Sequence, residues 1–304
     1  MSNSIGGLTL QLVAEESLRT LVPELVPLTK IAVTDFGAYV AERGSVVHTR
    51  YANSFSSTKY NPANGFVPTA AVSTDVPITL EEPDYVDLAF TDFEASTLSL
   101  ERLRRLFFAP VANAVQKSLF DSVLSKVTSA SFTTAAYSGA KSGFNRIAVA
   151  NAATSLTKAN LPHKDRHILL SPDAMGQLVQ DPTVAQTYSY GSSDVIQNNA
   201  IDKRLHGFGV SEYNGFPTSG TAYSEGLNGI ASCKEGLVIV SRVPASPTTG
   251  GGEQMNVTDP DSGFTFALRY FYNWQMGTHN MQAIWLTGSS VGNPNALQRI
   301  AFTS

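Results

Sequence analysis

The residues best suited to metal chemistry, His163, Asp165 and His167, lie at alternate positions of one short segment. In an extended chain, alternate side chains face the same side, and two imidazoles with a carboxylate are a ligand set for Zn²⁺ or Mn²⁺. Lys164 and Arg166, however, place positive charge between the three, and the neighbouring sequence supplies no further acid. We therefore expect a solvated loop that leads into a strand rather than a metal site.

Other chemical motifs are incomplete. Residues 259–263 (Asp-Pro-Asp-Ser-Gly) resemble an oxygen-rich calcium loop but lack its bidentate Glu, so a turn is predicted. The glycines at 250–252 lack the Lys-Ser or Lys-Thr of a phosphate-binding loop, and residues 207–209 lack the third glycine of a dinucleotide fingerprint. Cys233 is the only cysteine, and no Gly-x-Ser-x-Gly occurs. The motifs predict no catalytic, cofactor-binding or metal-binding residue, although a triad assembled from distant residues stays open.

The composition indicates a surface that faces other protein. Charged residues make up 15% of the 304 residues, about 30 fewer charges than an average soluble domain of this length carries. The net charge of −4 argues against a protein that grips nucleic acid phosphates through a basic face. The single cysteine excludes an intramolecular disulfide. The sequence shows neither a long apolar run nor a signal peptide, so neither a membrane span nor secretion is expected.

The first third of the chain changes from helical to strand periodicity. Residues 8–22 have apolar positions at helical spacing until prolines interrupt them, which predicts an amphipathic arm. Residues 46–51 and 86–91 alternate with period two, as strands do. Between them, residues 61–65 (Asn-Pro-Ala-Asn-Gly) can reverse the chain. We predict a long hairpin whose tip has too few large apolar residues for a core of its own and therefore lies against something else.

Charges are segregated next to this hairpin. Seven acids and no Lys or Arg lie between Asp75 and Glu94, and a mostly basic stretch follows at 101–105. One interpretation is two solvated faces. The other is electrostatic docking of one subunit's hairpin over the basic helix start of a neighbour. The candidate inter-subunit contacts are Glu81, Glu82, Asp84, Asp87, Arg102, Arg104 and Arg105.

A long helix is predicted over 99–127. Ser99 is a suitable N-cap, and Glu101 in the first turn suits the helix dipole. Pro110 either kinks this helix or begins a second segment. The apolar stripe that follows consists of Val111, Val115, Leu119 and Val123, widened by Phe120, Leu124 and Val127.

The rest of the chain predicts an α/β unit and returning strands. The start signal at Ser171-Pro172-Asp173 combines an N-cap, a proline at N1 and an acid. The predicted elements are a linker at 128–143, a helix at 145–158, a strand at 167–170, a polar loop at 184–200, a strand-like run at 205–210, a strand at 237–240, a glycine-rich turn at 248–252, an alternating strand at 264–272, a turn over 273–280 and a strand at 281–285.

Several stretches carry a family resemblance that covers nearly the whole chain. They are 78–86 (Ile-Thr-Leu-Glu-Glu-Pro-Asp-Tyr-Val) with Phe90-Thr91 and the helix at 99–127, the helix at 145–158, 167–173 (His-Ile-Leu-Leu-Ser-Pro-Asp), 205–210 (Leu-His-Gly-Phe-Gly-Val) with Gly215-Phe216-Pro217, and 266–287 followed by 288–291 (Gly-Ser-Ser-Val) and Pro294. In this order they resemble the major capsid proteins of tailed bacteriophages, with the Hong Kong 97-type shell fold. The C-terminal stretch looks like the coat proteins of podovirus-like phages.

The resemblance implies an α+β fold with five segments. They are an N-terminal arm at 1–37, an extended β-hairpin loop at 38–96, a peripheral domain with a long spine helix at 97–143, an axial α/β domain at 144–250, and returning strands at 251–304 that complete both domains.

The resemblance also implies a structural function without catalysis or a cofactor. Copies of the chain would form pentamers and hexamers and then an icosahedral shell, which encloses double-stranded DNA without sequence-specific binding. Scaffolding, portal and decoration proteins are the further partners implied. The implied location is the virion, with assembly in the host cytoplasm and no membrane contact.

Three alternatives remain open at this point. An encapsulin-like compartment would share every feature above and differ in holding protein cargo. A hydrolase of an unrelated α/β fold would bring distant acids and histidines into one pocket. A β-rich virion or cell-surface protein would lack the helix at 99–127.

Overall fold

A computed structural model describes residues 25–52, 57–63, 65–68, 73–97, 100–185, 201, 204–245, 252–259 and 262–303, with the backbone alone for 95–97 and 100–109. The predicted arm at 8–22, most of the loop at 184–200, most of the turn at 248–252 and the N-cap Ser99 lie outside these residues. Within the described part of the chain, no helix is long and apolar enough to cross a membrane.

The described residues form two large sheets and one separate strand pair, and the larger sheet has six strands. Its order is β1-β9-β12-β11-β10, and β4 pairs with β12 as well; only the β1–β9 pair is parallel. The strands are β1 (Val33–Ala41), β4 (Pro83–Thr91), β9 (Leu237–Pro244), β10 (Gly252–Thr258), β11 (Thr265–Asn273) and β12 (Thr278–Val291). The predicted alternation in β4 is confirmed, because Val86, Leu88 and Phe90 turn inward while Asp87, Ala89 and Thr91 are exposed.

The smaller sheet has five strands in the order β5-β13-β8-β6-β7, and a third, separate pair is formed by β2 and β3. The strands are β2 (Val46–Ala52), β3 (Ser73–Thr79), β5 (Ala135–Gly139), β6 (Arg166–Leu170), β7 (Gly209–Glu212), β8 (Leu227–Cys233) and β13 (Leu297–Phe302). All five residues of β6 are buried, because the five-stranded sheet is covered on both faces. The last three residues of β6, Ile168, Leu169 and Leu170, form the apolar run that made this strand predictable.

Seven α-helical segments accompany the sheets in the part of the chain that the structure describes. They are α1 (25–31), α2 (Asp92–Thr97), α3 (Leu100–Leu124), α4 (Arg146–Lys158), α5 (Pro172–Gln180), α6 (Pro182–Ala185) and α7 (Gly220–Ser224). The predicted cap at Ser171 is confirmed, because its side chain accepts a hydrogen bond from the Ala174 amide. Helix α4 has a cap that the sequence analysis did not predict: the Asn145 side chain accepts a hydrogen bond from the Ile147 amide. Helix α3 runs through Pro110 as one element, so the protein has the long helix that the β-rich alternative lacks.

The apolar stripe of α3 lies between the two sheets. Leu169 of the five-stranded sheet and Ile239 and Trp285 of the six-stranded sheet belong to one core with this helix. The other face of the five-stranded sheet packs on α4 and α5 in a second core. The helix residues buried in the first core are Val111, Ala112, Val115, Leu119, Phe120, Val123 and Leu124, followed by Val127 just beyond the helix. The predicted stripe is therefore confirmed in full.

Polar contacts fix the position of α3 along the larger sheet. The Ser118 hydroxyl donates to Asp84 Oδ2 at 2.7 Å, and the Ser289 hydroxyl donates to the Ser122 carbonyl oxygen at 2.7 Å. Apolar contacts alone leave a helix free to slide by small amounts, whereas hydrogen bonds require one alignment. These contacts therefore set the register of α3 on β4 and β12.

A buried ion pair ties the end of α3 to the five-stranded sheet. Arg299 Nη1 lies 2.9 Å from Glu225 Oε2, and both side chains are largely buried. The same carboxylate accepts hydrogen bonds from the amide and hydroxyl of Ser129, each at 2.6 Å. Arg299 Nε also donates to the Phe132 carbonyl oxygen at 3.0 Å. The chain that leaves α3 is thus held on β13 through groups that pair with one another.

Three sequence predictions are wrong in detail. Strand β5 lies inside the predicted linker at 128–143, where it pairs in parallel with β13. Residues 205–208 form a tight turn instead of a strand, because His206 and Gly207 both have positive φ and Leu205 and Phe208 exchange two hydrogen bonds. The hairpin strand β2 returns through β3, whereas the segment at 86–91 belongs to β4 and pairs with β12.

His167 lies in the core of the five-stranded sheet. Its Nε2 is 2.8 Å from Ser211 Oγ, and it is 7% exposed. Burial, with smaller contributions from Lys30 and Arg204, lowers the pKa of His167 from 6.5 to about 4. The folded protein therefore keeps this imidazole neutral at pH values where an unfolded chain protonates it.

We predict that this histidine makes the subunit acid-sensitive. The neutral imidazole contributes fully to the free energy of unfolding above pH 6.5. This contribution is lost as the pH falls toward about 4, where the free energy of unfolding is lower by about 3 kcal/mol. Urea unfolding of the wild type and of His167→Gln at pH 7 and pH 4.5 measures the difference. The variant should lose less stability on acidification. His163→Gln, which changes an exposed histidine, is the control and should behave as the wild type; equal acid sensitivity of both variants would contradict the prediction.

Candidate assembly surfaces

The β2–β3 hairpin has a tightly closed base and packs one face on the body. Its strands pair in register from Val46 opposite Thr79 to Ala52 opposite Ser73. At the base, the Gly44 amide donates to the Leu80 carbonyl oxygen and the Leu80 amide donates to that of Ser45, both at 2.9 Å. Ile78 and Leu80 are buried against Val238 and Val240 of the larger sheet. The orientation of the hairpin is therefore set by the body.

Gly288 allows the hairpin to lie this close to β12. A Cβ atom at this position would be 2.6 Å from the Thr79 carbonyl oxygen and 2.9 Å from Ile78 Cγ2. Two residues after Thr79, the Glu81 amide donates to the Thr287 carbonyl oxygen at 3.3 Å. Only a glycine fits where β3 crosses β12, so this residue determines how the hairpin is seated.

The hairpin tip, defined as residues 57–63 and 65–68, presents apolar side chains to solvent. The Tyr60 and Phe66 rings lie 4.8 Å apart on either side of a turn in which the Gly65 amide donates to the Asn61 carbonyl oxygen at 2.8 Å. Phe66 is 89% exposed, and Val67 is also exposed. Gly65 has a φ of 65°, as the sequence Asn-Gly predicts for a reversal. The tip is therefore an ordered apolar surface without cover from the described chain.

A second exposed apolar surface lies at one end of the six-stranded sheet. This sheet-end patch consists of Phe93, Tyr272, Trp274 and Met276; Phe93 and Trp274 are 80% and 78% exposed. The Asn273 carboxamide oxygen accepts from the amides of Gln275 and Met276 at 3.1 and 3.3 Å, which holds the turn between β11 and β12. Rigid exposed aromatic residues are typical of the centre of a protein interface.

A hydrogen-bond network supports the sheet-end patch from behind. Tyr272 Oη donates to Asp92 Oδ2 at 2.7 Å, and His279 Nε2 lies 3.2 Å from Asp92 Oδ1. Tyr270 Oη lies 2.8 Å from His279 Nδ1. The hydrogen bond to Asp92 raises the pKa of the Tyr272 phenol. The start of α2 is thus tied to both strands that carry the turn, so the patch keeps one shape.

Most of the acids between 75 and 94 have partners within the subunit. The Glu94 carboxylate accepts from the Thr91 amide while its own amide donates to the Thr91 hydroxyl, a capping box at the start of α2 that lowers the pKa of Glu94. The others pair as follows: Asp75 with His48 at 2.8 Å and Arg50 at 3.4 Å, Glu82 with Arg43 at 2.6 Å, Asp84 with Ser118 at 2.7 Å, Asp87 with Asn280 at 3.4 Å, and Asp92 with Tyr272 and His279. Among these acids only Asp75 lies on the hairpin, whereas β4 and α2 of the body carry the last four.

Solved structures from bacteriophages share the overall fold of this chain. The capsid of cyanophage P-SCSP1u matches with a TM-score of 0.62 and 14% identity over 88% of this chain and 86% of that chain. The mature capsid of bacteriophage PhiM1 matches with a TM-score of 0.60 and 11% identity over 89% of this chain and 86% of that chain. The structure from Mycobacterium phage Che8 matches with a TM-score of 0.56 and 17% identity over 86% of this chain and 88% of that chain.

The chain has the tailed-phage capsid fold. The α+β, Hong Kong 97-type architecture expected from the sequence is thereby confirmed, and the α/β-hydrolase architecture is not what the chain adopts. No protein-family model and no curated protein sequence matches this chain.

In this capsid fold, the basic candidates Arg102, Arg104 and Arg105 occupy the first two turns of α3, where the backbone alone is described. The acidic candidates are Glu81 and Glu82, which lie between β3 and β4, and Asp84 and Asp87, which lie on β4 itself. Docking between the two groups stays a prediction. Within the subunit, Asp84 accepts from Ser118, Glu82 pairs with Arg43 and Asp87 accepts from Asn280, so docking must compete with a contact at three of the four acids.

The capsid fold separates the residues that suggested metal binding. His167 is buried in β6 and contacts Ser211, whereas Asp165 sits in an exposed turn with a φ of 63°. The Arg166 side chain between them is buried and donates to the carbonyl oxygens of Pro162, Ala153 and Leu161 at 2.9 to 3.0 Å. Across the described residues, no three His, Cys, Asp or Glu side chains gather to hold a metal. The segment is a structural support of α4.

Two further candidates of the sequence have structural roles in the capsid fold. Asp259 is buried and its carboxylate accepts from the amide and hydroxyl of Ser262, which makes the segment before β11 a turn, as predicted. Cys233 is buried, and burial raises the pKa of its thiol, which disfavours the reactive thiolate. The sheet-end patch, by contrast, was missed: its turn was predicted over 273–280, but periodicity carries no signal for exposed Trp274 and Met276.

We predict that Gly288→Ala impairs shell assembly without unfolding the subunit. The added methyl group must push the hairpin off β12, because the atoms it meets include backbone. Amide hydrogen exchange in residues 73–80 should accelerate. The yield of assembled particles should fall at least tenfold, which corresponds to a loss of about 1.4 kcal/mol or more in the free energy of association. Gly176→Ala, at a helical glycine with open space around it, is the matched control. Normal particles from Gly288→Ala would contradict the role given to this residue.

Proposed function

We propose that this chain is the major structural subunit of a bacteriophage capsid and self-assembles into an icosahedral shell around double-stranded DNA. The observation that carries the proposal is an exposed apolar hairpin tip on a body that has the capsid fold. Its function is structural, without catalysis or a cofactor.

The exposed tip supports assembly through contacts between copies. A two-stranded hairpin has little stability of its own in water, and contiguous apolar surface marks an interaction site. Tyr60, Phe66 and Val67 are 58%, 89% and 65% exposed, so the described residues of the subunit do not cover them. Contact of this surface with a different surface of the next copy is heterologous, and heterologous contacts build rings and shells.

The segments of the fold receive provisional roles on the same basis. We assign the arm to 1–37, the peripheral domain to 97–143 with α3 as its spine, the axial domain to 144–250, and the returning strands to 251–304. The extended loop was expected at 38–96, and its hairpin is the narrower segment from β2 to β3. Pentamers and hexamers of the chain would place the axial domains around the local symmetry axes.

The electrostatics suit a container for DNA. A net charge of −4 on the subunit gives little attraction to phosphate, and tight binding of a genome requires many basic contacts. The shell would therefore enclose DNA without sequence-specific binding. We place the protein in the virion after assembly in the host cytoplasm, with scaffolding, portal and decoration proteins as further partners. An encapsulin-like compartment differs only in its contents.

Light scattering and negative-stain microscopy of the purified protein test the proposal. We expect hollow shells or ring-shaped capsomers, and we expect Phe66→Ser combined with Val67→Ser to remain a folded monomer because the apolar tip is lost. Circular dichroism checks that the variant is folded. A wild type that stays a 32.5 kDa monomer at high concentration would overturn the proposal. Shells that copurify with a protein cargo instead of DNA would favour the compartment.

The charge docking between subunits is tested separately. We predict that Arg104→Glu with Arg105→Glu reduces assembly at least tenfold while the subunit stays folded, because like charges then meet Glu81, Glu82 and Asp87 of a neighbour. Lys158→Glu with Lys164→Glu makes the same change of net charge at exposed positions of the axial region and is the control. Particle yield at low and high salt is the measurement; normal yield from the Arg104 and Arg105 variant would refute the docking.

A further inference from the structure

Three polar atoms are buried in the larger sheet without a hydrogen-bond partner among the described residues. They are Ser241 Oγ, Trp285 Nε1 and Thr287 Oγ1, on side chains that are 0%, 1% and 5% exposed. Buried polar atoms in native proteins are almost always paired with protein or with an ordered water molecule. Three such atoms in one region therefore call for a common partner.

The strand register brings the three residues together. Thr287 of β12 lies directly opposite Ser241 of β9, and side chains opposite each other in an antiparallel pair have Cβ atoms about 5 Å apart on the same face. Trp285 precedes Thr287 by two residues and therefore shares that face. Ser289, two residues further on, contacts Ser122 of α3, so this is the face that α3 covers.

The chemistry of the three groups identifies the ligand class. Two hydroxyls each donate or accept, and an indole N–H donates only. The group contains no carboxylate to hold a cation and no positive charge to hold an anion. A water molecule accepts from the indole and shares its remaining bonds with the two hydroxyls, which gives the three hydrogen bonds typical of buried water.

We propose that one buried water molecule bridges Ser241 of β9 with Trp285 and Thr287 of β12 beneath α3. The bridge links β9 and β12 next to Leu286, which pairs with both Pro83 of β4 and Arg242 of β9. At this point along β12, pairing with β4 ends and pairing with β9 begins. It adds to the hydrogen bonds that Ser122 and Ser289 already make between α3 and the same face of the sheet. The inference is independent of the proposed shell function.

Isosteric removal of the hydroxyl tests the bridge. Thr287→Val keeps the shape of the side chain but removes the hydroxyl that binds the water molecule. The thermal unfolding midpoint should therefore fall by about 3 °C or more. Ser241→Ala should act in the same direction. The double variant should lose less than the sum of the two, because either change alone releases the water. Thr34→Val, the same change at a half-buried position of β1, should shift the midpoint by less than about 1 °C.

The opposite sign would overturn the proposal. If the three atoms were simply unpaired and dry, Thr287→Val would replace a buried unsatisfied hydroxyl by a methyl group and raise the midpoint. A crystal or cryo-electron microscopy map of the wild type at about 2 Å resolution gives an independent answer. Density for one water molecule within about 3 Å of all three atoms supports the bridge. A protein side chain at that position, or no density there, refutes it.

Discussion

The burial of the α3 stripe between two sheets is the constraint on which the rest of the structure depends. Each large apolar side chain that leaves water there contributes about 1.5 to 3 kcal/mol, and one helix supplies seven buried residues to the shared core. The spacing and orientation of the two sheets follow from that helix. The Ser118 contact with Asp84 and the Glu225 contact with Arg299 then fix alignments that apolar packing leaves loose.

This rigid centre explains why the peripheral features have defined directions. The hairpin is seated on β9 and β12 through Ile78, Leu80 and the cleared space at Gly288. The sheet-end patch is held by the hydrogen bonds of Asn273 and Asp92. In the shell that we propose, each subunit must present its contact surfaces at fixed angles, because the same contacts repeat around a closed surface. Surfaces anchored in this way meet that requirement, whereas a loosely attached loop does not.

The sequence predicted those parts of the fold that follow from local pattern. The stripe of α3, the buried strand β6 and the cap at Ser171 each have a period or a start signal of their own. Strand β5 was missed because Ala-Ala-Tyr-Ser-Gly is weakly β-forming and is held by its parallel neighbour β13. The hairpin was assigned the wrong return strand because β3 and β4 are both amphipathic, and only tertiary contacts distinguish a strand that pairs with β2 from one that pairs with β12.

The acids between residues 75 and 94 cluster in sequence for reasons that only the structure reveals. Segregated acids suggested an inter-subunit surface, yet six of the seven contact groups of their own subunit. Asp84 positions α3, Glu94 caps α2, and Asp92 supports the sheet-end patch. Their clustering in sequence therefore follows largely from the path of the chain, because β4 and α2 lie where the sheet, the long helix and the turn at 274–277 meet. The deficit of charge is not explained by these internal contacts. Phe66 and Trp274 are 89% and 78% exposed, and contiguous exposed apolar surface on a chain with few charges marks sites of contact with other protein.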